Sequence, residues 1–238
     1  LQTRKWRNSE TLFQHALAVT PNKLFMHQFL GKILTDRNRY EEATEHFHQA
    51  LKIKEDYLPV LHDLGRVLML EGQFEESQRY FRRALHIDPN HAGSLFHLGE
   101  IFYAQKKIDD AIRYYHFTLA SEPNHIQAMN NLGATMAMRR QYRKAARQFE
   151  HILEIEPDSY EAYINLGQTR LLQKNLPGHV DKAIRLLRRA VQINPNSADG
   201  HALLSTALNR AGRTEEALIH QTEFNRLQSE ERNTSNAP

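Results

Sequence analysis

The sequence predicts an all-α chain built as a solenoid of tandem helix-turn-helix repeats, and three periodic features predict it. A glycine marker recurs every 34 residues, as Gly31, Gly65, Gly99, Gly133 and Gly167 in FLGKIL, DLGRVL, HLGEIF, NLGATM and NLGQTR, and Ser205 takes its place in ALLSTAL after 38. A small residue follows each marker by twelve (Ala43, Ser77, Ala111, Ala145) and a bulky one by sixteen (Phe47, Phe81, Tyr115, Phe149), with Ala183, Leu187 and Ala217 in step once four extra residues are allowed for. Prolines at 89, 123, 157 and 195 close the period, with Glu55 as the exception. A repeat of 20 to 50 residues signals a stacked array, and proline, lacking an amide hydrogen and restricting the residue before it, ends a helix.

Taken in order, each period reads as helix, short turn, helix and stop. Six units are predicted, over 24–57, 58–91, 92–125, 126–159, 160–197 and 198–231. Before them, Phe13, Ala16 and Pro21 fall on the places of a second helix, so 3–23 reads as the second helix of a truncated repeat, with Trp6 as its packing residue. The fifth unit is longer by four residues around Leu176-Pro177-Gly178-His179, which lengthen its turn. In the sixth, Gln221 replaces the aromatic and the outward side carries His220, Glu223 and Arg226, as suits the polar end of a stack. The closing residues, 232–238, are expected to form a disordered polar tail. One repeat cannot bury its apolar face alone, so the units must form one continuous stack.

This Leu-Gly, Ala, aromatic, Pro metre resembles the tetratricopeptide repeat family. The resemblance implies a right-handed superhelix that binds proteins, with the first helix of each repeat lining a concave groove. The opening stretch WRNSETLFQHALAVTPN also resembles the junction in multi-pass membrane proteins of the O-mannosyltransferase type that carry such repeats. That resemblance implies an accessory domain presenting substrates to a membrane-embedded glycosyltransferase, held outside the cytoplasm. A generic cytoplasmic repeat protein is the alternative, and the compartment stays open. A third reading is self-assembly, giving a homo-oligomer through the apolar flank that truncation exposes before the Trp6 helix. The start at Leu1 points to an excised fragment.

Composition narrows the chemistry. The chain has no cysteine, which excludes disulfides, thiolate zinc sites and a cysteine nucleophile. Its fourteen histidines offer no HExxH and no helical ligand pair with a third partner, so no metal is expected. No phosphate-binding glycine loop, nucleophile elbow or carboxylate cluster occurs, so no catalytic residue or cofactor is assigned and the fragment itself is read as non-enzymatic. No run of about 18 apolar residues occurs, so the fragment inserts no helix into a membrane. A formal charge of +3 is mixed along the chain, which speaks against a nucleic-acid partner. The run RRQYRKAAR at 139–147, like Arg82-Arg83 and Arg188-Arg189, reads as outward solvated charge.

The remaining candidate is the groove and its partner a protein or peptide. The family resemblance places groove residues three and two before the marker, and one and four after it. Those places hold His62 and Arg66 in the second unit, Phe96 and Tyr103 in the third, Asn130 and Asn131 in the fourth, and Asn165 and Gln168 in the fifth. Asn131 and Asn165 are equivalent, like the asparagine ladder of O-GlcNAc transferases, and an amide can pair with the backbone of an extended peptide through both donor and acceptor. Asp63 and His97 interrupt that ladder. The two-carboxylate clamp of chaperone-binding relatives lacks its lysines and arginine here, so chaperone tails are disfavoured.

Overall fold

A computed structural model describes residues 23–173 and 177–235, and every regular element among them is helical. They divide between two compact halves, Leu1–Pro123 and Asn124–Pro238. The first half holds α1 (Lys23–Asp36), α2 (Tyr40–Ile53), α3 (Leu58–Leu70), α4 (Phe74–Ile87), α5 (Ala92–Ala104) and α6 (Ile108–Ser121). The second holds α7 (Ile126–Met138), α8 (Tyr142–Ile155), α9 (Tyr160–Leu172), α10 (His179–Ile193), α11 (Ala198–Arg210) and α12 (Thr214–Ser235). Within each half every helix packs on the next in sequence. The first helices of successive repeats also touch in order, α1 to α3 to α5 and α7 to α9 to α11, so each half is a short all-α solenoid.

The marker glycines explain how closely the two helices of a repeat approach. A Cβ added at Gly31 would lie 2.5 Å from the Phe47 ring, and one at Gly99 2.6 Å from the Tyr115 ring. Phe47, Phe81, Tyr115 and Phe149 are all buried to within 1% of complete exclusion from solvent. The sixth repeat inverts this logic, because Gln221 removes the ring and Ser205 can then stand at the marker, donating from Oγ to the Ala217 carbonyl at 2.9 Å. Ser77 bridges its repeat in the mirrored sense, donating to the Gly65 carbonyl at 2.6 Å.

Four second helices stop ahead of a non-helical residue, extended at Asp88 and Glu122 and close to that at Glu156 and Asn194, and the proline follows. Lys54 adopts the same extended backbone ahead of Glu55, so proline reinforces this exit without being required for it. The turn inside each repeat carries one left-handed residue, at Asn38, Gly72, Lys106, Arg140, Gly178 and Gly212. The last helix continues to Ser235 through residues expected in the polar tail, since neither glycine nor proline interrupts the sequence from Thr214 to Ser235. The predicted 3–22 part of the truncated repeat, including Trp6, lies outside the described residues, as do residues 174–176 of the long turn.

Candidate functional site

In the first half, α3 and α5 bring imidazoles and aromatic rings together. His62 stacks on His97 with centroids 5.4 Å apart and meets His91 edge-on at 4.9 Å. Phe81 stacks on His97 at 5.5 Å, and Phe96 joins His97 at 5.4 Å and Tyr115 at 6.1 Å. Burial, reinforced by His97 and His91, pushes the His62 imidazole down to about 3, so it stays neutral across the physiological range. His97 donates through Nδ1 to the Glu100 carboxylate at 2.8 Å. His91 caps α5, its Nδ1 accepting from the Ser94 amide at 3.2 Å.

Charge lines the same row of first helices. Asp63, only 7% exposed, accepts from Gln28 Nε2 at 3.5 Å and faces Lys32 Nζ at 3.5 Å. Burial pushes its carboxyl above the usual range despite Lys32. Arg66 is partly buried, and its Nε lies buried without a hydrogen-bond partner. Of the predicted residues here, His62 and Arg66 are partly exposed and Tyr103 is 40% exposed. Phe96 is 8% exposed: its ring turns into the packing against Tyr115, and helical spacing alone could not distinguish the two directions.

The first helices of the second half present amides instead. Asn165 Nδ2 on α9 donates to Asn130 Oδ1 on α7 at 3.2 Å, linking neighbouring repeats. Asn131 lies one residue along, partly exposed, with its carbonyl accepting from Thr135 Oγ1. Gln168 is exposed one residue beyond Gly167. Asn130, Asn131, Asn165 and Gln168 therefore belong to one half, and Phe96, Tyr103, His62 and Arg66 to the other.

Sequence reading missed two histidine pairs. His27 and His46 face each other with Nδ1 atoms 2.9 Å apart, and His201 and His220 repeat the geometry at 3.0 Å. His201 Nε2 donates to the Pro195 carbonyl at 3.0 Å, which leaves its Nδ1 to accept from Nδ1–H of His220. Both pairs occupy the same repeat places, four before and fifteen after the marker, where the second repeat has Leu61 and Tyr80. Superposing the first and sixth repeats of the sequence would have found them. Among the described residues no group of three or more histidines and carboxylates is arranged to hold a metal ion, and no catalytic motif occurs in the sequence.

Tetratricopeptide repeat models match residues 34–92, 68–134 and 177–223, together more than half of the chain. The chain belongs to the tetratricopeptide repeat family. Solved tetratricopeptide and related structures share its fold at low identity. PilF of Pseudomonas aeruginosa matches with a TM-score of 0.72 and 17% identity, over 88% of this chain and 98% of its own. A MamA fragment from Desulfovibrio magneticus RS-1 matches with a TM-score of 0.66 and 21% identity, over 73% and 96%. YrrB, described as a TPR protein with an unusual peptide-binding site, matches with a TM-score of 0.62 and 20% identity, over 79% and 95%. Among curated proteins nothing matches the chain.

These findings correct the reading of the opening stretch as the junction of a sugar-transferring membrane protein. The matches are to tetratricopeptide repeats, and among the described residues no helix is long and apolar enough to cross a membrane. The physical reason is that Leu12, Phe13, Ala16 and Pro21 are what the second helix of any such repeat supplies, so the stretch carries the repeat's metre rather than a junction's signature. The flank invoked for self-assembly lies outside the described residues. The tetratricopeptide chain is thus a helical repeat scaffold.

Proposed function

We propose that this scaffold holds an extended segment of a protein partner against the first-helix face, with Asn130, Asn131, Asn165 and Gln168 bonding the partner's backbone. The Asn165–Asn130 hydrogen bond carries this reading. It uses one donor and one acceptor, sets the two amides side by side across neighbouring repeats, and leaves their remaining valences beside Asn131. A row of such amides pairs with a peptide main chain without reading its sequence. The first-helix face of the first half offers a different chemistry, in which Tyr103, His62 and Arg66 accept side chains and the buried Phe96 supports His97. That YrrB, a protein of the same fold, is described as having a peptide-binding site supports this use of the scaffold.

The test is selection of extended peptides from a displayed library on the whole chain, followed by titration against the variant carrying Asn131→Ala and Asn165→Ala. The variant should bind the selected peptides about tenfold or more weakly, as loss of one or two buried hydrogen bonds implies, with helicity and melting unchanged. Unaltered affinity, or a library that yields no binder, would refute the reading.

A further inference from the structure

The short motif Arg-x-x-Arg-Arg occurs twice at the same repeat register, as Arg79, Arg82 and Arg83 on α4 and as Arg185, Arg188 and Arg189 on α10. Each copy stands in a different half and is built alike. The last arginine is clamped by an aspartate from the turn before it, Arg83 to Asp56 at 3.3 Å and Arg189 to Asp158 at 2.7 Å. The first arginine, Arg79 or Arg185, is exposed and has no ion pair among the described residues. Beside each copy opens a cleft of about 460 Å³.

The α10 cleft is the more developed. Tyr163 and Leu166 of α9 and Leu186 of α10 supply an apolar lining, and Arg170, Lys182, Arg185 and Arg189 stand around it. Two carboxylates oppose these four cations, Glu150 held by Arg170 and Asp158 held by Arg189, so two positive charges remain unmatched. Holding like charges together in this way costs stability unless an anion answers them. Guanidinium groups pair oxyanions through two parallel N–H donors, and the clamped Arg189 is already oriented.

We propose that the α10 cleft binds a phosphate monoester carried on a side chain of a phosphorylated protein partner, with Arg185 and Lys182 as its principal ligands. The uncompensated charge of two matches a phosphate dianion, and the Tyr163, Leu166 and Leu186 lining accommodates the carbon group that bears it. The exposed carboxylates Glu150, in the lining, and Asp158, paired to Arg189, disfavour a flat anionic bilayer, which would have to approach them as well. The α4 cleft repeats the design with fewer lining groups.

Phenyl phosphate and phenyl sulfate titrated into the whole chain, followed by amide NMR, test the site. Phenyl phosphate should bind about tenfold more tightly at pH 7.5, and that advantage should fade as pH drops through about 6, where the monoester takes up its second proton. Arg185→Gln should weaken phenyl phosphate about tenfold, whereas Arg143→Gln, an equal charge change on α8, should not. A phosphotyrosine peptide should bind where vesicles of phosphatidic acid do not. Equal binding of the two esters, an unaffected Arg185→Gln variant, shifts mapping away from α9 and α10, or preferential capture by vesicles would each overturn the proposal.

Discussion

The two halves share one scaffold and display opposite chemistry on it. At three and two residues before the marker, the second and third repeats place His62, Asp63, Phe96 and His97, whereas the fourth and fifth place Asn130, Asn131, Ile164 and Asn165. The marker, the small residue and the bulky residue hardly change, because a Cβ or a missing ring there alters helix approach. The display positions answer to no such constraint. A solenoid therefore separates its architecture from its recognition surface residue by residue, and the ring strip of one half and the amide row of the other are independent choices on a common frame.

That comparison can be broken first at the rings. Phe81→Ala and Phe149→Ala should each cost about 3–5 kcal/mol by denaturant unfolding, since both are fully buried. Only Phe81→Ala should also raise the His62 titration seen by NMR, because Phe81 stacks on His97 and packs 5.7 Å from His62. A histidine shift in both variants, or in neither, would remove the distinction.

Acid should separate the halves next. Burial lowers the imidazoles of His27, His46, His62 and His91 in the first half, and that of His220 in the second. A histidine whose folded value lies below the unfolded 6.5 contributes stability that is present above 6.5 and lost as pH falls toward the folded value, about 3 for His62. Each unit of difference is worth about 1.4 kcal/mol. The raised Asp63 carboxyl acts in the opposite sense, its burial being relieved as it takes up a proton in acid. Hydrogen exchange between pH 7 and 4 should show α1–α5 losing protection before α7–α12, and simultaneous loss would count against the histidines as the cause.

The smallest expected effect tests what the halves have in common. Lys106 and Arg140 hold the left-handed turn position, with φ of 60° and 58°, where Gly72 and Gly212 stand in other repeats. Lys106→Gly in the first half and Arg140→Gly in the second should each raise stability by up to about 1 kcal/mol, measured by thermal melting. A gain in one half alone would show that the turns are not equivalent.

The repeat frame was legible because its signals are local and recur: Gly31 to Gly167 every 34 residues, and prolines at fixed distance behind them. The left-handed turn place was half legible, visible at Gly72 and Gly212 and concealed at Lys106 and Arg140. The candidate site was harder to read. Phe96 turned inward because Tyr115 offered it a packing partner, and the His62–His97 strip joins side chains 35 residues apart that only stacking brings together. Single histidines carry no signal of pairing, which is why His27–His46 and His201–His220 emerged only with both helices in place.

The long turn of the fifth repeat has a practical consequence. Counted back from the second helix, left-handed Gly178 stands where Gly72 and Gly212 stand, so the four extra residues all fall between Leu172 and that glycine. Beyond it the chain resumes in phase, and Leu187 still meets Gly167. The position is a natural graft point: an epitope or a reporter peptide spliced in ahead of Gly178 would leave the helical register intact on both sides.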